Sequence, residues 1–116
     1  MAVTLTATRM GLSAQAAFTA SPAITHAQLH TGDPGGSGTS NVAAGVSRAE
    51  VTVGSPSGGA VTVWTAFTIP AAGGPYTHVT FWTASSGGTF CGTDDFSPDT
   101  TFANPGSLGH TLTWTA

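Results

Sequence analysis

The stretch AVTVWTAFTI, from Ala60 to Ile69, alternates apolar and polar side chains with a period of two. This alternation is typical of a β-strand with one buried face. Thr65 shares the apolar face, and Trp64 lies on the opposite face among threonines. The stretch therefore predicts a strand that is buried on one side and carries a tryptophan on the other.

Other runs rich in Thr, Val and aromatic residues suit a pleated sheet, and Gly- and Pro-rich segments separate them at intervals too short for helices. In the run YTHVTFWT, Val79 and Phe81 share one face, and Tyr76, His78 and Trp82 share the other. The predicted strands outside Ala60 to Ile69 are Val3 to Thr8, Arg48 to Val53, Tyr76 to Thr83 and Thr111 to Thr115, with weaker ones at Ile24 to Thr31 and Gly88 to Gly92.

Seven or eight short strands, each apolar on one face, predict an all-β fold in which two antiparallel sheets pack face to face. We expect a jelly-roll-like β-sandwich with Greek-key connections, built as one domain over residues 1–116. The predicted core residues are the apolar members of the inward faces: Val61, Val63, Phe67, Ile69, Val79, Phe81 and Leu112.

The N-terminal residues 1–20 fit this pattern least well. Met10 to Ala20 is rich in Ala and is predicted to be a short helix or an arm, although Gly11 disfavours a helix. Two interpretations stay open: a first strand followed by a loop, or an arm that orders against a neighbouring subunit. In the second, Met10 and Phe18 are apolar anchors and Arg9 meets an acidic partner.

The composition excludes several classes of protein. Thr accounts for 21 of the 116 residues, only 6% of residues are charged, and the formal net charge is -3. Arg9 and Arg48 are too few for a nucleic-acid-binding surface, and no apolar run approaches the roughly 20 residues of a membrane span. A chain with so few charged residues is expected to be poorly soluble on its own. This indicates that the chain functions in an assembly.

No residue pattern predicts catalysis, a metal or a cofactor. His26 and His30 would lie about 13 Å apart on a strand, too far to bind one ion without other ligands. His78 and His110 belong to separate runs, and Cys91 has no partner cysteine for a zinc site.

The acidic cluster Asp94, Asp95 and Asp99 offers oxygen ligands for calcium but lacks the spacing of a calcium-binding loop. We expect a loop in which aspartates cap turns beside Pro98. The segment GDPGGSG lacks the lysine of a phosphate-binding loop, and no catalytic triad motif is present. We therefore expect a protein that is not an enzyme.

Trp64 and Trp82 lie opposite the main apolar stripe, so we expect an exposed aromatic pair that marks a binding surface. Its ligand is either another protein or a sugar stacked on the rings, and the protein is the favoured interpretation. The candidate partner contacts are therefore Arg9, Met10, Phe18, Trp64 and Trp82.

Two segments carry a resemblance to a known family: QLHTGDPG, residues 28–35, and THVTFWTASSGGTFCG, residues 77–92. Together with Arg48-Ala49-Glu50-Val51-Thr52 and Ala60-Val61, they resemble small virion proteins of tailed phages, mostly phages of actinobacteria, often described as tail fibre or minor structural proteins. The resemblance covers Ile24 to Gly92, and residues 1–20 depart from it.

The resemblance implies a structural virion protein without cofactors. By analogy of size, the leading hypothesis is a capsid decoration or minor capsid protein on the capsid surface. Such a protein is expected to bind the major capsid protein and copies of itself, with a trimer as the expected example. The alternatives are a tail or tail-tip component, and a carbohydrate-binding module that contacts the host wall.

Overall fold

The computed structural model describes residues 3–5, 23–55 and 59–115, and within these ranges it contains strands and loops but no helix. It follows that none of the described segments is a helix able to cross a membrane. The strands are β1 (Val3–Leu5), β2 (His26–His30), β3 (Ala49–Val53), β4 (Ala60–Ile69), β5 (Gly73–Trp82), β6 (Phe90–Phe102) and β7 (Gly106–Thr115).

The strands form one antiparallel sheet in the order β1-β6-β5-β2-β3-β4-β7. Strand β3 joins the half β1-β6-β5-β2 to the half β4-β7 by pairing with both β2 and β4. Strands β2, β3 and β4 follow one another, and β5 returns to lie beside β2, which is a Greek-key connection as predicted.

The sheet curls so that both halves contribute to one hydrophobic core. Phe67 from β4 and Phe81 from β5 are both at most 1% exposed and belong to the same cluster. The all-β antiparallel class predicted from the sequence is confirmed, with the two layers formed by one continuous sheet. All seven predicted core residues are buried, which confirms the inward face of β4 in particular.

Strand β5 departs from strict alternation because its pairing with β6 shifts register on both sides of Tyr76. An irregularity of this kind turns a side chain toward the other face of the sheet. Tyr76 was predicted to lie opposite Val79 and Phe81, but it is 4% exposed and belongs to the core. That prediction was wrong because it assumed strict alternation of the side chains along the whole run, which the register shifts interrupt.

Strand β6 is far longer than the predicted Gly88 to Gly92 run and includes the acidic segment. Asp94 pairs with Val79 and Asp95 pairs with His78 on β5, so the predicted turn-capping loop is instead part of a strand. Pairing with the long strand β5 outweighs the low strand preference of the aspartates. The three aspartates therefore do not converge as loop ligands.

At the N-terminus, Val3, Thr4 and Leu5 pair with Asp94, Thr93 and Gly92 of β6. This part of the segment 1–20 belongs to the sheet of its own chain. The predicted helix or arm at Met10 to Ala20 and the candidate contacts Arg9, Met10 and Phe18 lie outside the described residues.

Candidate functional site

The outer face of β3, β4 and β7 carries the exposed tryptophan that the sequence predicted. Trp64 is 44% exposed and lies between Thr52 of β3 and Thr111 of β7, its partners in the pairing register. The other outward residues of β4 and β7 are small or hydroxylated: Thr62, Ala66, Thr68, Ser107, Gly109 and Thr113. Trp64 is therefore the main apolar feature of the outer surface of β4 and β7.

Gly54 lies directly beside the indole of Trp64. A Cβ atom placed on Gly54 would come within 3.2 Å of Cζ3 of Trp64 and within 3.0 Å of the carbonyl oxygen of Thr62. The Gly54 amide donates a hydrogen bond of 2.8 Å to that same Thr62 carbonyl, which keeps the backbone close to β4. The absent side chain therefore leaves the space in which the ring rests.

A groove of about 650 Å³ runs beside Trp64. Its floor is the outer surface of β3 and β4, one wall is the segment from Gly45 to Ala49, and Pro70 lies at one end. The polar side chains that line it are Ser47, Arg48, Glu50, Thr52 and Thr68, with Thr65 beneath them. The groove thus combines an aromatic ring with hydroxyl groups and one carboxylate.

Arg48 holds the wall of this groove in place. Its Nη1 donates hydrogen bonds to the carbonyl oxygens of Ala84, at 2.9 Å, and Gly87, at 2.8 Å. Its Nε donates to Oε1 of Gln28 at 3.3 Å, and its Cζ lies 4.2 Å from the centre of the Trp82 ring. Partial burial lowers the pKa of Arg48, but an arginine stays charged at neutral pH.

Trp82 is buried, so the predicted exposed pair of tryptophans does not exist. Trp82 is 7% exposed, its ring lies 5.6 Å from that of Phe90, and Arg48 covers it from another side. Its Nε1 donates a 2.8 Å hydrogen bond to Oγ1 of Thr80. Trp82 was assigned to the outer face correctly, but loops and Arg48 cover that part of the face.

The Trp82 hydrogen bond continues into a buried histidine. His30 is fully buried, and its Nε2 lies 2.8 Å from Oγ1 of Thr80. Its Nδ1 lies 2.8 Å from the Ser40 carbonyl oxygen, which can only accept, so Nδ1 carries the proton. Thr80 then accepts from Trp82 and donates to His30. Burial lowers the pKa of His30, in agreement with a neutral ring.

The remaining histidines form separate contacts. His78 lies 3.0 Å from Asp95, its cross-strand partner on β6. His110 lies 2.6 Å from Asp94 inside the fold, and His26 contacts the Thr25 hydroxyl. Within the described ranges, no three His, Cys, Asp or Glu side chains group as metal ligands.

Sequence reasoning found Trp64 but missed its surroundings. Nothing in the sequence showed that Arg48 would form a wall of the groove beside Glu50. The role of Gly54 depends on contact with a side chain ten residues further along the chain. Such contacts arise from strand pairing between β3 and β4, which a linear pattern does not specify.

The fold and this surface define a class: a small antiparallel β protein with hydrogen-bonded polar side chains in its interior and a groove on its outer surface. Comparison with protein families matches residues 6–111 to the family described as "Podophage GP4 fiber I protein gp80". The chain belongs to this family. No curated protein and no solved structure matches the chain.

The family membership confirms a phage structural protein of the virion, which the sequence resemblance had implied. The match extends beyond Ile24 to Gly92 and includes most of the N-terminal segment that departed from the resemblance. The actinobacterial origin stays a prediction.

Proposed function

We propose that this protein is a fibre component of the tail of a podophage virion. The family match over residues 6–111, to a protein described as a fibre, is the observation that carries the proposal. The leading sequence-based hypothesis, a capsid decoration protein that binds the major capsid protein, has no comparable support. The proposed role is mechanical, and neither catalysis nor a cofactor has a part in it.

Copy number and position in the virion test this proposal. Quantitative mass spectrometry of purified virions should give a few copies to a few dozen, whereas a decoration protein is present on the order of hundreds of copies because it follows the capsid symmetry. Cryo-electron microscopy of virions with a labelled chain should then show the label at the tail. A label spread over the capsid would reject the fibre assignment.

We further propose that copies of the chain associate through the edge of strand β7. This strand is ten residues long, contains no charged residue, and pairs only with β4 among the described residues. A long, uncharged edge is a template for pairing with another chain, and monomeric proteins usually protect such edges with lysines, prolines or bulges. Association of copies also fits the low charge of the whole sequence.

Two matched lysine variants test this association. Thr113 on β7 and Thr62 on β4 are cross-strand partners and both are exposed, but only Thr113 lies on the edge strand. Thr113→Lys should shift the full chain toward monomer in sedimentation experiments, because a lysine on an edge disfavours pairing. Thr62→Lys is the control and should keep the wild-type distribution. Equal effects of the two would reject the edge as the interface.

A further inference from the structure

We infer that the groove beside Trp64 binds a neutral saccharide. This inference goes beyond the proposed fibre role, because it assigns a ligand to a surface that the family description does not mention. It rests on the exposed indole, the polar groups around it, the balance of charge in the groove and its concave shape.

The indole supplies an apolar platform of the kind on which a sugar ring stacks with its C–H face. Trp64 is 44% exposed, an unusual state for so large an apolar side chain in a protein with a well-packed core. The indole lies beside Gly54, and the cross-strand partners of Trp64 are Thr52 and Thr111. A tryptophan side chain has only two rotatable bonds, so it loses little conformational entropy when a ligand stacks on it.

The polar groups of the groove match the hydroxyl groups of a sugar. The hydroxyls of Ser47, Thr52 and Thr68 both donate and accept, and the exposed carboxylate of Glu50 accepts. Small polar ligands are held in this way by a few placed polar groups beside an aromatic surface, in pockets of roughly 300–1,000 Å³. The groove volume of about 650 Å³ falls in that range.

The charge of the groove favours a neutral ligand. Glu50 is the one acidic residue in its lining and Arg48 the one basic residue, so the formal charges cancel. The guanidinium of Arg48 already donates to the carbonyls of Ala84 and Gly87 and to Gln28, so much of its donor capacity is used within the chain. An anionic polymer would meet Glu50 without a cluster of cations to offset the repulsion.

The shape of the groove disfavours two other occupants. A second copy meeting this face across a two-fold axis would place one concave surface against another and leave a void, because such interfaces must be self-complementary. A peptide that adds a strand needs an open sheet edge. The groove instead lies over β3 and β4, which are both paired on each side within the sheet.

The test is binding of the full chain to a printed array of neutral, sialylated and sulfated glycans, followed by fluorescence titration with the best-retained neutral glycan. We expect retention of neutral glycans, and a change in tryptophan emission on binding, since Trp64 is far more exposed than Trp82. Trp64→Ala should weaken the affinity at least tenfold, and Glu50→Gln should weaken it several-fold.

Thr62→Ala is the matched control, because Thr62 is exposed on the outer face of β4 but lies outside the groove lining. It should keep the wild-type affinity, and thermal unfolding should show that all three variants are folded. Retention of no neutral glycan, or equal affinity of the Trp64→Ala variant, would overturn the inference. Neither result bears on the fibre assignment, which virion copy number and position decide separately.

Discussion

Oδ2 of Asp94 lies 2.6 Å from Nε2 of His110, and both side chains are almost completely buried. Asp94 is on β6, beside Val79 of β5, whereas His110 is on β7, beside Thr65 of β4. The contact therefore joins the two halves of the curled sheet through the interior. Oδ1 of Asp94 also accepts a 2.9 Å hydrogen bond from the Asp95 amide.

Removing one partner of this pair should be strongly destabilising. His110→Leu leaves the buried Asp94 carboxylate without its side-chain partner, and breaking a buried pair in this way costs about 3–5 kcal/mol. Urea unfolding should show a free energy of unfolding lowered by that order. The double variant Asp94→Val/His110→Leu should recover part of the loss, because it buries no unpaired charge. A single variant as stable as the wild type would contradict a structural role for the contact.

Truncation of Phe67 tests the core of the sheet. Phe67 is fully buried between the halves, so Phe67→Ala should lower the free energy of unfolding by roughly 3–5 kcal/mol through lost contacts and a cavity. Thr62→Ala, at an outward position on the same strand, should change it by no more than about 0.5 kcal/mol. Similar costs for both would mean that the two faces of β4 are equally buried.

His30 should make the protein less stable in mild acid. Burial lowers its pKa below the ordinary value of 6.5, with the backbone bond to Ser40 opposing this and the nearby His78 and Arg48 adding to it. Below about pH 6.5 the unfolded chain binds a proton at this site that the folded chain resists, so stability falls as the pH falls. Above that pH, the full contribution of His30 to the free energy of unfolding is present.

The measurement is the free energy of unfolding at pH 7.5 and pH 5.0 for the wild type and for His30→Gln. The variant lacks this titrating group, so its stability should fall less between the two values. If His30→Gln does not fold, the ring signals of His30 in a nuclear magnetic resonance titration report the same property. A midpoint at or above that of an ordinary histidine would contradict the prediction.

Replacing Arg48 by lysine should loosen the groove wall. A lysine keeps the charge but cannot reach two carbonyls and Gln28 with a planar fork while lying over an indole. Arg48→Lys should therefore lower the free energy of unfolding by about 1.5–3 kcal/mol, a range typical of hydrogen bonds to charged groups. Hydrogen exchange should also increase in the segment from Ser85 to Gly88, with no matching change in β7.

The regular strands could be predicted from the sequence because period-two patterning depends only on which face is buried. Ala60 to Ile69 has the predicted bounds and the predicted inward face. The misplaced features depend on distant partners. Tyr76 is turned inward by irregular pairing with β6, and Asp94 enters a strand because β5 pairs beside it.

Trp64 is the only residue of the candidate site that could be predicted from the sequence. An outward tryptophan in an alternating strand is visible in the sequence, whereas the burial of Trp82 depends on Arg48 crossing from 34 positions earlier in the chain. The same holds for the polar chain through His30, Thr80 and Trp82, whose members come from β2 and β5. Such contacts depend on which strands pair in the sheet, so the local sequence around each residue does not predict them.

The last prediction concerns Met10 and Phe18, which lie outside the described residues. Val3–Leu5 pairs with β6 of the same chain, so the beginning of the segment is part of the sheet. If the following residues reach a neighbouring copy, the double variant Met10→Ser/Phe18→Ser should remain folded but associate more weakly, because an ordering arm binds through few apolar anchors. Sedimentation measures the association, and thermal unfolding at low concentration measures the fold.

Deletion of residues 1–5 is the comparison for this variant. It removes β1 and its pairing with Gly92, Thr93 and Asp94, so it should lower stability whether or not copies associate. A Met10→Ser/Phe18→Ser variant that loses stability to a similar degree would show that these side chains belong to the core of their own chain. The interpretation as a first strand and loop would then replace the arm.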